Sequence, residues 1–242
     1  MDMVESVSDS VTLVFTSLPF FDDETEQRLQ APIREQLHFD EVSAATLGYA
    51  LTFRKAFAEM RRVLRPGGHL VLETKDLRYG ECLIPLSAVY RTMAEAAGFR
   101  MTDVIRWEAL NEAPHHGSRW RQQQRLESGR PLRTIDTEEF QVFVDPDGPE
   151  LAGVAEDFSG PEIEELVSSF WRTGQSRSWH PHPTPRAVIE RFVRLFTRPG
   201  DRVLDPFAGS GQVLRPAVHL KRAAAGYEID RARWARALGV DS

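Results

Sequence analysis

A short apolar run followed by a glycine turn, in the segment 199–212, constrains this chain more than any other feature. The run ends in Asp205, and Gly209 and Gly211 follow it closely. Glycine adopts backbone angles that other residues avoid, and its missing Cβ lets a ligand approach the main chain. A helix behind the turn would present unpaired N–H groups. The segment predicts a nucleotide-type pocket, although an ordinary strand-to-helix turn has the same pattern.

A second short strand is predicted over 223–230, and it carries the acidic residue Glu228 near its end. In doubly wound folds an acid about 20 residues after the glycine turn accepts hydrogen bonds from ribose hydroxyls. The spacing from the glycine turn to Glu228 agrees with that arrangement. Turn and acid together favour a nucleotide-like ligand more than either does alone.

Length and composition favour one α/β domain, a doubly wound and mostly parallel sheet with a small inserted region. The chain has 242 residues, of which 41% are hydrophobic, enough to bury a full core. The single cysteine, Cys82, excludes an intrachain disulfide. No apolar run is long enough to span a bilayer, and the acidic, polar start does not resemble a signal peptide. We therefore expect a cytoplasmic protein with no membrane partner.

The charges are segregated along the chain, although the net charge is −6. Five arginines lie in one predicted loop, namely Arg119, Arg121, Arg125, Arg130 and Arg133. The segment 145–165 that follows is rich in Asp and Glu and has no basic residue. This split suggests one face that meets phosphate, while two solvated surface loops remain the alternative.

The first predicted strand contains a continuous run of apolar and β-branched residues over 11–15, which is typical of a strand covered on both faces. It is followed by Ser17, Leu18, Pro19 and Phe20. Because proline cannot continue a sheet ladder, the chain must leave the sheet here. A hydroxyl, backbone carbonyls and an aromatic ring are thus expected at the carboxyl end of the strand, where open α/β sheets bind ligands.

The middle and end of the chain alternate between helical and extended patterns. We predict helices over 49–64, 84–97 and 185–196, and strands over 69–73, 100–107 and 133–144, the last as an edge strand. Thr184 and Pro185 are predicted as the N-cap and first residue of the third helix. His180 and His182 lack a third ligand at a zinc-like spacing, so no metal is expected.

The order of these motifs resembles that of the β-group DNA amino-methyltransferases over nearly the whole chain. The matching segments are Thr16-Ser-Leu-Pro-Phe20, Arg62-Val-Leu-Arg-Pro-Gly-Gly-His-Leu70, His180-Pro181, Leu204-Asp-Pro-Phe-Ala-Gly-Ser-Gly211 and Tyr227-Glu-Ile-Asp230. The resemblance implies a Rossmann-like fold and transfer of a methyl group from S-adenosylmethionine to an exocyclic amine in DNA. Catalytic motif before cofactor motif is the order of this group.

The resemblance also implies roles for single residues. Ser17, Leu18, Pro19 and Phe20 fall on the catalytic tetrapeptide. The predicted cofactor-binding residues are Asp76, His180, Pro181, Asp205, Pro206, Phe207, Ala208, Gly209, Ser210, Gly211 and Glu228, with Glu228 on the ribose. A serine at the first position of the tetrapeptide resembles the cytosine-N(4) members more than the adenine-directed ones, in which aspartate is usual.

The chemistry of such a reaction explains these residue types. An exocyclic amine is a poor nucleophile, so Ser17 and a main-chain carbonyl would accept its hydrogens and direct its lone pair at the methyl group. The base must first leave double-stranded DNA at a cost of about a few kcal/mol, and stacking on Phe20 would recover part of it. The five arginines and Trp120 are the predicted DNA-binding residues, and simple packing is the alternative for Trp120.

Three parts of one domain follow from the resemblance: a catalytic half (1–107), a variable target-recognition insertion with an edge strand (108–178) and a cofactor-binding half (179–242). The expected protein is a monomer or homodimer, with a restriction or defence partner as a further possibility. Because Leu18 replaces the usual first proline, and few residues precede the first strand, a catalytically weak or silent nucleic-acid-binding relative stays open. Methylation of adenine-N(6) or of RNA also stays open.

Overall fold

The chain folds into a mixed seven-stranded sheet with helices on both faces. The computed structural model describes residues 10–19, 48, 51–79, 82–110, 123, 126–127, 129, 137–154, 157–174, 184–231 and 234–235. In chain order the elements are β1 (Val11–Ser17), α1 (Arg54–Val63), β2 (Leu64–Thr74), β3 (Leu77–Tyr79), β4 (Cys82–Ile84), α2 (Leu86–Ala96), β5 (Arg100–Leu110), β6 (Thr137–Val144), α3 (Gly160–Leu166), β7 (Phe170–Gly174), α4 (Arg186–Phe196), β8 (Arg202–Asp205), α5 (Leu214–His219) and β9 (Ala223–Gly226).

The strand order of the large sheet is β7-β5-β6-β2-β1-β8-β9. Strands β1, β2, β8 and β9 are parallel neighbours in that row, and β6 is antiparallel to both β2 and β5. From β1 the chain moves to β2 on one side, and from β8 it moves to β9 on the other. The order therefore reverses between β1 and β8, and such a switch point is where open α/β sheets bind ligands. The predicted fold class, a doubly wound and mostly parallel α/β sheet, is confirmed.

Two apolar clusters cover the two faces of the sheet. On one face α1 and α2 pack through Phe57, Met60 and Tyr90. On the other face Phe192 of α4 packs against Phe15 of β1, with ring centroids 5.5 Å apart. Full burial of one such side chain stabilises the fold by about 1.5–3 kcal/mol. Because both faces are covered, β1 is buried from Val11 to Thr16, as its sequence predicts.

The strand β6 occupies a different place from the one its sequence suggests. We predicted an edge strand from the alternation of Phe140, Val142 and Val144, but β6 lies inside the sheet between β2 and β5. The residues between them, Gln141 and Phe143, are buried as well, so the strand is covered on both faces. The prediction was wrong because alternation does not reveal neighbours that come from distant parts of the chain.

One edge strand of the sheet is β7, which sequence patterning did not predict; the strand at the other edge is β9. It follows α3, which begins in the acidic segment 145–165, whereas β7 lies after that segment. The N-terminus of α3 carries a capping box in which Ser159 and Glu162 bond each other. Glu162 also accepts a 2.6 Å hydrogen bond from Arg194 of α4. Bonds from Arg194 and Ser159 lower the pKa of Glu162 to about 2.

Smaller differences concern element ends. The helix predicted from 49 begins at Arg54, and β2 extends back through the Pro-Gly-Gly turn instead of beginning after it. The pair β3 and β4 precedes α2 and was not predicted. Pro185 is the N-cap of α4 and Arg186 its first residue, so the predicted N-cap Thr184 was wrong.

The predicted division into 1–107, 108–178 and 179–242 stays a prediction. All three parts contribute strands to the same sheet. Among the described residues, no helix is long and apolar enough to cross a lipid bilayer.

Candidate functional site

Two strand ends meet at the switch point, one from the predicted catalytic motif and one from the predicted cofactor motif. β1 ends at Ser17, and its parallel neighbour β8 ends at Asp205. The hydroxyl of Thr16 donates a 2.7 Å hydrogen bond to Asp205 Oδ1, and both side chains are buried. A direct bond thus joins two motifs that are far apart in the sequence.

Asp205 is a buried acid, with only 4% of its surface exposed. Its Oδ1 also accepts a hydrogen bond from the backbone N–H of Phe207 at 3.0 Å. Burial raises the pKa of Asp205 to about 7, and the charge of Glu228 acts in the same direction, while the bonds from Thr16 and Phe207 lower it. Within the described segments no basic side chain forms an ion pair with this carboxylate. A cationic ligand bound beside Asp205 would favour its ionised form.

The glycine turn that follows β8 has the backbone that its sequence predicts. Gly209 and Gly211 have φ angles of +51° and +75°, in the left-handed region that favours glycine. A Cβ at Gly209 would meet nothing nearer than the carbonyl oxygen of Phe207 at 4.0 Å, so the space above it is open. The remaining predicted residues of the turn, Pro206, Ala208 and Ser210, are buried within it. The turn therefore leaves main chain accessible to a ligand.

Gly226 at the end of β9 allows the turn to pack closely, a role that sequence reasoning missed. A Cβ there would lie 2.8 Å from both Ala208 Cβ and Leu214 Cδ1. The Ala208 N–H donates to the carbonyl of Tyr227 at 2.8 Å, which fixes the turn against the end of β9. The only sign of this packing in the sequence was that a glycine stands directly before the Tyr-Glu pair.

Glu228 lies beside the glycine turn, as the spacing predicts. Its Oε2 accepts a 2.8 Å hydrogen bond from the N–H of Gly209, and its Oε1 accepts one from the N–H of Asp230. The carboxylate is partly exposed. The structure thus brings Asp205, Gly209 and Glu228 together, while the ribose contact of Glu228 stays a prediction.

The catalytic segment leaves the sheet immediately after Ser17. Ser17 is partly exposed, Leu18 is 3% exposed, and Pro19 is exposed. Leu18 belongs to the apolar cluster that includes Phe53 and Tyr90. Burial of this side chain anchors the loop, so the leucine supplies by packing some of the order that a proline supplies by stiffness.

A small pocket opens beside this loop. Its lining consists of Leu18, Pro19, Glu73, Thr74, Lys75, Leu86 and Tyr90. Thr74 is 2% exposed, and its Oγ1 has no hydrogen-bond partner among the described residues. A buried hydroxyl without a partner is costly, which favours a polar ligand at this place.

Glu73 is a further buried acid at the site, which sequence reasoning treated only as the end of a strand. It pairs in register with Ser17 across β1 and β2, and its Oε2 accepts a 2.5 Å hydrogen bond from Thr184. Burial raises the pKa of Glu73 well above its usual range, and the neighbouring Glu138 raises it further. The Nζ atom of Lys75 lies 3.8 Å from Glu138 Oε1. An acid that ends a continuous apolar run was the indication in the sequence.

Asp76 has a partner of its own. Its Oδ1 accepts hydrogen bonds from the N–H and hydroxyl of Ser87, at 3.0 and 2.6 Å, at the beginning of α2. This carboxylate therefore stabilises a helix N-terminus. Its predicted contact with the cofactor stays a prediction.

Several predicted site residues lie outside the described residues. These are Phe20, Arg119, Trp120, Arg121, Arg125, Arg130, Arg133, His180 and Pro181. His182 also lies outside them. Within the part of the chain that is described, no group of three or more His, Cys, Asp or Glu side chains is arranged to hold a metal ion.

Comparison with known proteins agrees with this geometry. The sequence model of the DNA methylase family, of the N6/N4 methyltransferase type, matches residues 11–237. The type II methyltransferase M.MjaI of Methanocaldococcus jannaschii is 26% identical over an alignment of 206 positions that covers 74% of this chain and 63% of that protein. M.BglII of Bacillus subtilis is 26% identical over an alignment of 248 positions that covers 96% of this chain and 64% of that protein. The chain thus spans less than two thirds of the length of these relatives.

Solved structures share the fold. A DNA modification methylase of Thermus thermophilus, solved as a complex with S-adenosyl-L-methionine, has a TM-score of 0.68 and 24% identity, covering 95% of this chain and 86% of its own. The cytosine-N4-specific PvuII DNA methyltransferase has a TM-score of 0.69 and 18% identity, covering 96% and 79%. Family match, fold and site geometry agree, and the chain belongs to the N6/N4 family of DNA methylases.

Proposed function

We propose that this chain transfers a methyl group from S-adenosylmethionine to the exocyclic amine of a base in DNA, and that the base is cytosine, methylated at N(4). The observation that carries the proposal is the bond between Thr16 and Asp205. It fixes the strand that ends in Ser17 beside the strand that opens the glycine turn. A methyl transfer requires that the site of the methyl donor and the site of the base lie side by side, because positioning supplies much of the rate.

The residues at the glycine turn fit the proposed cofactor. Open space above Gly209 admits a ligand against the main chain, and Glu228 offers carboxylate oxygens next to it. Asp205 supplies a buried negative charge that no basic group of the described residues neutralises. When bound, S-adenosylmethionine supplies an electrophilic methyl group on a positively charged sulfur. His180, Pro181, Asp76 and the residues 206–211 complete the proposed cofactor site.

Ser17 is the proposed catalytic side chain. Its hydroxyl and the carbonyls of Leu18 and Pro19 are hydrogen-bond acceptors at the carboxyl end of β1. Accepting the two amine hydrogens of a base lets the nitrogen become pyramidal and frees its lone pair for attack. Burial of Leu18 holds these carbonyls in place. Phe20 is proposed to stack on the base after it has left the helix.

Serine in place of aspartate supports cytosine as the target, because it is the residue by which the chain resembles the cytosine-N(4) members of the group. The experiment incubates the purified chain with unmodified double-stranded DNA and labelled S-adenosylmethionine, then identifies the modified nucleoside by mass spectrometry. We expect N(4)-methylcytosine. N(6)-methyladenine would contradict the cytosine assignment, and the absence of any methylated base would contradict the enzyme assignment.

A Ser17→Ala variant tests the catalytic assignment. Loss of a preorganised hydrogen-bonding group at a reacting centre costs about 100-fold or more in kcat, so we expect a fall of that size with unchanged cofactor affinity. Ser159→Ala is the matched control, because Ser159 only caps α3. Equal activities for Ser17→Ala and the unmodified protein would contradict the role of Ser17.

The region from Arg119 to Arg133 is proposed as the DNA-binding surface, with Trp120 as a stacking or wedging residue. Arginine contacts with phosphate release counterions, so affinity should fall steeply with salt. Charge reversal at both Arg121 and Arg125 is expected to weaken binding and to flatten its salt dependence. Unchanged affinity and salt slope in this variant would contradict the assignment.

A silent relative that binds nucleic acid is the second candidate, and the replacement of a motif proline by Leu18 is the observation that favours it. Calorimetry separates the two. Binding of S-adenosylmethionine that is lost in Gly209→Val supports the enzyme. DNA binding without any affinity for the cofactor supports the silent relative.

A further inference from the structure

We propose that Asp205 distinguishes the sulfonium group of the methyl donor from the uncharged thioether of its product, and that Thr16 is the positioning residue that holds the Asp205 carboxylate for this task. The inference rests on the proposed cofactor site. It goes beyond it by assigning a selectivity to one carboxylate and a function to a hydroxyl of the neighbouring strand.

The first argument is the surroundings of Asp205. The carboxyl group is buried at the end of β8, and the charged groups that act on it from the neighbouring elements are themselves acids. Glu228 lies after β9, and Glu73 at the end of β2 is coupled to Asp205 by charge. A buried carboxylate among other carboxylates is costly unless a positive charge joins it.

The second argument is the bond from β1. Thr16 Oγ1 and the N–H of Phe207 both donate to Asp205 Oδ1, at 2.7 and 3.0 Å. Both bonds favour the ionised carboxylate, and they fix the direction in which its other oxygen points. Thr16 is fully buried, so its hydroxyl needs a partner inside the fold, and Asp205 is that partner. The position of Thr16 immediately before Ser17 means that the catalytic strand itself orients the acid of the cofactor site.

As a consequence, the number of protons released on binding should differ between the methyl donor and the product. Without ligand, burial raises the pKa of Asp205 to about 7, so the group is largely protonated at pH 6 and largely ionised at pH 8. A bound cation favours the ionised form, and binding at pH 6 must therefore release a proton. The product keeps its α-ammonium group but has lost the sulfonium charge with the methyl group, so its binding gains less from ionisation of Asp205.

The size of the effect follows from that value. If only the ionised form accepts the donor well, the population of that form rises about tenfold between pH 6 and pH 8 for a group that titrates near 7. We expect the affinity for S-adenosylmethionine to rise by about tenfold over the same range. For S-adenosylhomocysteine the rise is expected to stay below about threefold.

Isothermal titration calorimetry of the full chain with each of the two ligands, at pH 6, 7 and 8, tests the proposal without any need for DNA. Buffers with different ionisation enthalpies report the number of protons released. The variant Thr16→Val removes the hydroxyl with little change of shape, and we expect the rise in donor affinity to move to higher pH. Thr16→Ser keeps the hydroxyl and should restore the profile of the unmodified protein.

Thr12→Val is the matched control. Thr12 is another buried threonine of β1, but its Oγ1 has no partner among the described residues and it does not reach Asp205. This variant should follow the unmodified protein at every pH. Asp205→Asn should lose both the preference for the donor and its pH dependence, and it carries the test if Thr16→Val does not fold by circular dichroism.

The outcomes separate the inference from the cofactor assignment. Equal pH profiles for donor and product, or a Thr16→Val profile identical to that of the unmodified protein, would overturn the inference while leaving the cofactor assignment intact. Failure of the unmodified protein to bind either ligand at any pH would refute the cofactor assignment and the inference with it.

Discussion

Gly209 offers the sharpest test of the glycine turn, because the same substitution can be made at a second glycine with a similar backbone. Gly209 has φ +51° and Gly200, in the turn before β8, has φ +91°. A Cβ would meet nothing within 4 Å at Gly200 and nothing nearer than 4.0 Å at Gly209. Neither alanine therefore clashes with the protein, and backbone strain is the cost that both variants share.

The magnitude of that cost is small. A left-handed conformation costs an alanine about 1–2 kcal/mol, and the lower entropy of the unfolded chain returns about 0.4–1 kcal/mol. A net loss near 1 kcal/mol lowers the melting temperature of a chain of this size by about 2–4 °C. We expect both Gly209→Ala and Gly200→Ala to show a shift of this size.

The two variants should differ in cofactor affinity. At Gly209 the new methyl group fills the space proposed for the cofactor, and we expect the dissociation constant for S-adenosylmethionine to rise by about tenfold, equivalent to about 1.4 kcal/mol. At Gly200 it should not change. Calorimetric titration measures the affinity and differential scanning fluorimetry the stability. Unchanged affinity in Gly209→Ala, or an equal loss in Gly200→Ala, would refute the reasoning.

Three further predictions follow from packing and charge. Gly226→Ala places a methyl group 2.8 Å from Ala208 Cβ, so overpacking should cost about 1–3 kcal/mol in urea unfolding, and a cost below that of Gly200→Ala would contradict it. Leu18→Ala removes a buried side chain and should cost about 2–5 kcal/mol in the same assay; a near-neutral result would show that the loop is not anchored by packing. The pKa of Glu162 is lowered to about 2, so its pairing stabilises the fold above pH 4.5, and this stabilisation is lost as pH falls towards 2. Glu162→Gln should therefore reduce the free energy of unfolding in urea at pH 7 but not at pH 2. An equal loss of stability at both pH values would contradict this prediction.

Local patterns predicted the parts of this molecule that depend on neighbouring residues in the sequence. The apolar run of β1, the stripe of α4 and the positive φ angles of the glycine turn were all predicted from short segments. The failures are equally consistent. β6 was placed at an edge because strand neighbours are set by tertiary contacts. The helix α3 was missed because acidic residues dominate the segment in which it begins, and the short strand β7 was not predicted either.

The residues of the site also fall into two groups, those that a local sequence pattern predicted and those that it did not. Asp205, Gly209 and Glu228 were predicted from motif spacing, and the structure brings them together. Thr16 was not predicted, because its partner Asp205 lies 189 positions away and nothing local marks the bond. Glu73 was missed for the same reason, since its donor Thr184 comes from the other half of the chain.

The topology explains why a catalytic motif that precedes the cofactor motif still forms one site. A parallel sheet aligns the carboxyl ends of its strands whatever their order in the chain, so the residues that meet are those at the ends of neighbouring strands. Here β8 is inserted beside β1 although most of the chain separates them, and the helices α1 and α5 return the chain on opposite faces. The reversal between β1 and β8 places the carboxyl ends of these two strands side by side, at the position where open α/β sheets bind ligands. Any order of the two halves that preserved this neighbour relation would keep Ser17 beside the glycine turn, and it is this adjacency, fixed by the bond from Thr16 to Asp205, that the proposed chemistry requires.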